Sequence, residues 1–155
     1  MSCMLGFPMR GAADPNPKIG RYETSTKECS YTASTKDSVA CTTLQLKGRS
    51  PSVVAVRFIG HGTTKNSRKQ LTFVTLTTQG ESPLKCSTGT CRLDAEAWQS
   101  TVSSVAEASF NSSGIATGLP KAWAAKSGEC NLKDRVLRCR ALHFNGEVYQ
   151  AEAHL

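Results

Sequence analysis

Short segments of alternating or continuous hydrophobicity run through most of the chain and predict β-strands. Branched and hydroxyl-bearing residues dominate these segments, which favours strands over helices. Gly, Pro, Asn and Ser separate them, as is typical of turns between antiparallel strands. The pattern predicts strands near residues 19–24, 28–34, 39–46, 52–59, 70–79, 121–126, 135–144 and 147–154. The nearly continuous apolar segment at 52–59 is typical of a central strand that is buried on both faces.

One segment has a different period. Trp98, Val102, Val105 and Ser109 are spaced so that they would share one face of a helix. The serine and threonine residues inside this segment weaken the interpretation and leave a long strand as the alternative. The sequence therefore predicts a mainly β fold, an antiparallel sandwich or barrel, with one packed helix near residues 94–110.

An Asn-Gly pair at residues 145–146 gives the clearest local turn signal. It lies between two strand-like segments and predicts a two-residue type I′ hairpin turn. Such a turn would place Leu142 opposite Tyr149 on the neighbouring strand.

The amino-terminal segment, residues 1–17, has the outline of a shortened export signal. It contains apolar residues followed by two small residues two positions apart, Gly11 and Ala13, which suit cleavage by a signal peptidase. The apolar run is short, is interrupted by Pro8 and follows no basic residues. The sequence predicts a truncated signal peptide, with a disordered tail as the alternative, before a single β-rich domain at residues 18–155.

The chain contains seven cysteines, and cleavage after Ala13 would remove Cys3 and leave an even number. The remaining cysteines can form three bridges, and their spacing favours local pairing. The predicted pairs are Cys29–Cys41, Cys86–Cys91 and Cys130–Cys139. A tight turn at residues 134–135 would bring the last two cysteines face to face across antiparallel strands. Disulfides predict a secreted or periplasmic protein, with metal binding and free cytosolic thiols as the weaker alternatives.

Positive charge is concentrated along the middle of the chain. The net charge is +7, and no acidic residue occurs between Ser38 and Gly80. The connection at residues 60–69 is predicted to project as a flexible basic loop, and a second basic segment lies on the cysteine-linked hairpin. The candidate binding residues in these two regions are Arg57, His61, Lys65, Arg68, Lys69, Arg138 and Arg140.

A basic surface of this kind favours anionic polymers: nucleic acid, acidic polysaccharide or anionic lipid headgroups. The loop at residues 60–69 contains no aromatic residue, so base stacking there is unsupported. A solvated basic face that only keeps the protein soluble is the alternative.

Histidine and lysine side chains offer one catalytic alternative. His61, Lys69 and His143 are the residue types that cleave RNA: one imidazole accepts the 2′-hydroxyl proton, another protonates the leaving oxygen, and lysine stabilises the phosphorane. Nothing in the sequence brings these three residues together. The sequence contains no serine-hydrolase or nucleotide-binding motif, so no cofactor or metal is predicted. It also has no apolar run of about 18 residues, so no transmembrane helix is predicted.

The leading hypothesis is an exported, non-enzymatic binding domain whose basic face engages an anionic macromolecule or a partner protein. One alternative is a small secreted phosphodiester hydrolase of the ribonuclease kind, which requires that the histidines meet in one site. The other is a structural protein of the cell envelope, which requires that the protein assembles.

Overall fold

A computed structural model describes residues 17–77 and 82–155 of the chain. These residues form one almost entirely antiparallel sheet, and none of them is helical. The mainly β fold is therefore confirmed. Most of the predicted amino-terminal segment and the last residues of the predicted strand 70–79 lie outside the described residues. The strands are β1 (Gly20–Ser25), β2 (Glu28–Ala33), β3 (Val39–Ser50), β4 (Val53–His61), β5 (Arg68–Leu76), β6 (Leu84–Ser87), β7 (Thr90–Leu93), β8 (Trp98–Phe110), β9 (Lys121–Ala124), β10 (Ser127–Lys133), β11 (Val136–Leu142) and β12 (Val148–His154).

The sheet closes into a barrel. Neighbouring strands follow the order β2, β12, β11, β10, β8, β5, β4 and β3, and β3 pairs again with β2 through Ser30 with Ala40 and Tyr31 with Val39. Strand β1 continues along the edge of β3, and β9 continues along the edge of β8. The small hairpin of β6 and β7 attaches to β1. Closure pairs the edges that an open sheet would expose.

Alternating side chains of the long strands fill the barrel interior. Phe58 and Phe73 meet edge to face, with 5.9 Å between ring centroids, and both are fully buried. Ala55, which points to the other side of β4, is also buried, in agreement with the prediction for residues 52–59. The other fully buried apolar side chains include Leu44, Leu46, Val54, Val56, Leu71, Val105 and Leu137. Because the interior takes the apolar half of each strand, the polar half is displayed outside.

The helix predicted near residues 94–110 is wrong, since Trp98–Phe110 form strand β8. Trp98 and Val102 point inward with the two-residue period of a strand. A bulge at Ser103 then shifts the phase, so that Val105 is the next inward apolar side chain. The extra residue in the bulge turns the strand's spacing of two into a spacing of three between Val102 and Val105. Together with the spacing of four between Trp98 and Val102, this imitates a helical period. The serines and threonines that weakened the helix prediction fit the strand.

The turn between β11 and β12 is one residue longer than predicted. Leu142 lies opposite Val148 rather than Tyr149, and the loop consists of residues 144–146. The last loop residue is a glycine with a φ of 93°, as in the three-residue hairpins that end in the left-handed region. The Asn145 side chain stabilises this longer loop by bonding to the backbone N–H and the carboxylate two residues further on.

All three disulfides join residues that lie side by side on neighbouring antiparallel strands. They are Cys29–Cys41 between β2 and β3, Cys86–Cys91 between β6 and β7, and Cys130–Cys139 between β10 and β11. The prediction of disulfides is confirmed, and these are the pairs that the spacing favours. Asp134 and Arg135 both have positive φ, which makes the tight turn that sets the third pair opposite each other. The first pair lies at the seam where β3 meets β2.

Candidate anion-binding face

Basic side chains converge on the outer surface of β1, β3, β4 and β5. The register places Arg21 beside Lys47 on one row and Arg57 beside Gln45 on the next, with their side chains outside the barrel. The sequence separates these residues widely, and strand pairing brings them together. We call this surface the arginine face, and its basic residues are Arg21, Lys47, Arg49, Arg57 and Arg68.

Arg57 occupies the centre of the arginine face and is held by neutral side chains. Its Nη1 donates to Gln45 Oε1 at 2.8 Å, and its Nε donates to Thr72 Oγ1 at 3.2 Å. Gln45 and Thr72 are buried, and Gln45 in turn donates to Glu23 Oε1 at 2.8 Å. A guanidinium has five N–H donors, so the outer edge of Arg57 keeps donors for a ligand.

The positive charge of the arginine face has no carboxylate partner within ion-pair distance among the described residues. Burial lowers the pKa of Arg57, and repulsion by Arg49, Arg21 and Arg68 lowers that pKa further. The guanidinium stays charged at neutral pH because its ordinary pKa is far above 7. A bound anion would relieve the repulsion and accept charge-assisted hydrogen bonds from a side chain that is already oriented.

Of the residues proposed from the sequence, Arg57, His61 and Arg68 lie on this outer surface. His61 is opposite Arg68 at the end of the β4–β5 pair, and the guanidinium of Arg68 lies 5.3 Å from the ring centroid of Phe110. Lys69 is on the other side of β5, opposite Gly60. It therefore does not belong to the arginine face.

The connection between β4 and β5 is shorter and tighter than the flexible loop expected at residues 60–69. The two strands continue to His61 and Arg68, which leaves residues 62–67 as the connection, with Lys65 exposed in it. Ser67 is buried, and its hydroxyl and backbone bond back to Thr64. The basic residues flanking the turn are thus fixed by strand geometry.

Arg138 and Arg140 lie on a different surface. Strand β11 is separated from β4 by three strands in either direction round the barrel. Arg138 Nε is 2.6 Å from Glu152 Oε1, and Arg140 is opposite Glu129 on β10. This second surface has mixed charge, so the structure does not join its arginines to the arginine face.

The three candidate catalytic residues are not brought together. His61 points outward from β4, whereas Lys69 lies on the interior side of β5. His143 follows β11 across the barrel, where its ring packs on Trp123 with 4.5 Å between centroids. This arrangement provides no shared position for a scissile phosphodiester.

Sequence reasoning did not select three residues of the arginine face, Arg21, Lys47 and Arg49. The most distant of them is Arg21. It lies far from Arg57 along the chain, and only the pairing of β1 with β3 brings the two onto one surface. The alternation of Lys47 and Arg49 on one strand was a visible signal, since residues two apart share a face.

Comparisons with known proteins give no significant match. No family model matches the chain, and neither the curated proteins nor the solved structures contain a significant match. Within residues 17–77 and 82–155, no helix is long and apolar enough to cross a membrane. The same residues contain no group of three or more histidine, cysteine or acidic side chains placed to hold a metal ion.

Proposed function

We propose that this protein is an exported binding domain whose arginine face engages an anionic polymer that carries sulfate or phosphate groups. The observation that carries this proposal is Arg57, a half-buried arginine with neutral hydrogen-bond partners and three further arginines close enough to lower its pKa. Among the described residues no carboxylate forms an ion pair with these arginines, and Glu23 is linked to Arg57 only through the neutral Gln45. Such a cluster is poised to bind anions.

The shape of the arginine face supports an extended ligand. Its basic residues are spread over the adjacent strands β1, β3, β4 and β5, and the side chains between them include Ala55 and Thr72, which are short and buried. Phe110 is the aromatic residue near this surface, and Arg68 covers it. We therefore expect recognition of the anionic groups along a polymer rather than stacking on bases.

Export is supported by the disulfides. Three cross-strand bridges persist in oxidising compartments, whereas the cytosol keeps most thiols reduced. A sulfated or phosphorylated polymer outside the cytosol is therefore the ligand class that agrees with both the disulfides and the arginine face.

Retention on a heparin column tests the proposal. We expect the variant with Arg49, Arg57 and Arg68 replaced by glutamine to elute at clearly lower salt than the wild-type protein. The matched control replaces Lys133, Arg138 and Arg140 by glutamine, because it removes the same charge from the opposite side of the barrel.

The control variant is expected to elute close to the wild-type protein. Equal losses in both variants would mean that net charge alone causes retention, and the proposal would then be wrong. Unchanged retention of the arginine-face variant would also contradict it.

A further inference from the structure

One end of the barrel displays apolar side chains. The connections that follow β2, β4, β8 and β11 all lie at this end, which we call the loop end. Two of these connections, residues 111–120 and 143–147, carry the most exposed large hydrophobic side chains of the described residues. They are Ile115 (63% exposed), Leu119 (92%) and Phe144 (69%). Large exposed apolar side chains collected at one end of a domain are typical of interaction sites.

Hydrogen bonds within each turn order the backbone of both connections. Asn111 Oδ1 accepts two backbone N–H groups of its own turn, one of them from Ile115 at 3.0 Å. In the other connection the Gly146 N–H donates to the carbonyl of His143 at 2.9 Å. The ring of His143 packs on Trp123 of β9, the strand that follows residues 111–120. The two connections therefore lie at the same end of the barrel and near each other.

Positive charge is in excess round the loop end. The basic residues in or beside its connections, apart from Arg68 of the arginine face, are Lys36, Lys65, Lys69, Lys121 and Lys126, and the acidic ones are Asp37, Glu107 and Glu147. Glu107 pairs with Lys36 at 3.4 Å. Glu147 accepts hydrogen bonds from the Ser34 hydroxyl and the Asn145 amide. The acidic groups are thus largely engaged by their own neighbours, and most of the lysines are exposed.

We propose that the loop end docks on the surface of an anionic lipid bilayer. Leu119 and Phe144 would enter the interface between headgroups and acyl chains, and the surrounding lysines would contact anionic headgroups. Interfacial binding combines buried apolar area with attraction between basic residues and anionic lipids, and the loop end supplies both.

The geometry favours a fluid surface over a partner protein. The apolar tips stand singly on projecting connections with polar residues between them. A cavity of about 1010 Å³ is lined by Trp98 and Leu132 near the opposite end of the barrel. A protein partner would need complementary pockets for each tip, whereas a bilayer conforms to separate projections.

Sedimentation with vesicles tests this inference. We expect the protein to bind vesicles of equal phosphatidylglycerol and phosphatidylcholine and to bind pure phosphatidylcholine vesicles much more weakly. Replacing Leu119 and Phe144 by serine should weaken binding to the anionic vesicles about tenfold or more. The matched control is Leu76→Ser, which makes the same kind of change at an exposed site outside the loop end and should leave vesicle binding unchanged.

Two further measurements separate the loop end from the arginine face. Heparin retention of the Leu119→Ser/Phe144→Ser variant should equal that of the wild-type protein, which also verifies its fold. Fluorescence of a Phe144→Trp variant should shift to the blue with anionic vesicles, because the new side chain enters a drier environment.

Three results would overturn the inference. The first is that the wild-type protein does not bind the anionic vesicles. The second is that the Leu119→Ser/Phe144→Ser variant binds them as well as the wild-type protein does. The third is that the arginine-face variant loses vesicle binding while the serine variant keeps it. If the wild-type protein self-associates and the serine variant does not, the loop end would instead bind a second copy of the chain.

Discussion

Arg57 shows how a single residue can be prepared for a ligand. Its guanidinium is fixed by Gln45 and Thr72, and both of these partners are neutral and buried. Of its five N–H donors three remain for a ligand, enough to bond two oxygens of a sulfate or phosphate group.

Replacing Arg57 by lysine tests whether this planar arrangement matters. Lysine keeps the charge but cannot bond to Gln45, Thr72 and two ligand oxygens at once. We expect affinity for a heparin oligosaccharide to fall about tenfold, measured by calorimetry. Arg49→Lys, at an exposed position, should change affinity much less; equal effects of the two substitutions would show that only charge is recognised.

Tyr31 provides a test of the packed interior. Burial, and then the charge of Glu107, raises the pKa of Tyr31 to about 12. In the unfolded chain Tyr31 loses its proton near pH 10. Between this pH and the pKa of about 12 in the folded protein, unfolding therefore releases a proton, and the free energy of unfolding falls as the pH rises. We expect the free energy of unfolding in urea to fall by about 2 kcal/mol more in the wild-type protein than in Tyr31→Phe between pH 9 and pH 11.5. Equal losses of unfolding free energy in both proteins would show that folding does not raise the pKa of Tyr31.

At the scale of strands, the disulfide at the barrel seam should matter most. Cys29–Cys41 closes a longer loop than Cys86–Cys91, with sequence separations of 12 and 5, and it ties β2 to β3 where few residue pairs close the barrel. We expect replacement of the first pair by alanine to cost about 3 kcal/mol of unfolding free energy and replacement of the second about 2. Urea unfolding measures both, and a greater loss for the outlying hairpin would contradict the role of the seam.

Local patterns predicted most strands, and the failures have local causes. The strand β4 was readable because its nearly continuous apolar segment is typical of a buried strand, and the hairpin of β10 and β11 was readable because its cysteines face each other across one tight turn. The bulge at Ser103 disguised β8 as a helix, because it changed the spacing of inward residues. The Asn-Gly signal located the last hairpin, but a three-residue loop with the same glycine shifted the register by one.

At the scale of the whole molecule, the position of charge matters more than its sum. The net charge of +7 and the basic middle of the chain were visible in the sequence. The sequence did not show that β4 and β11 lie on opposite sides of the barrel, because this depends on barrel closure through strand pairs that are distant along the chain. Closure therefore decides which basic residues can act together.

The salt dependence of ligand binding should depend on arginines on the β4 side of the barrel and not on those on the β11 side. Each cation that contacts a polyanion releases counterions, so the logarithm of affinity falls linearly with the logarithm of salt concentration. We expect Arg68→Gln to reduce this slope by about one and Arg138→Gln to leave it unchanged, measured by fluorescence titration with a heparin oligosaccharide. Equal changes in slope would mean that the ligand contacts both sides of the barrel.

Mapping a bound sulfated oligosaccharide by nuclear magnetic resonance tests the central claim most directly. We expect amide shifts to change along β1, β3, β4 and β5, together with a large change of the Arg57 side-chain N–H signal. Shifts confined to β10, β11 and β12, or an unperturbed Arg57 signal at saturation, would contradict the assignment of the arginine face as the binding site.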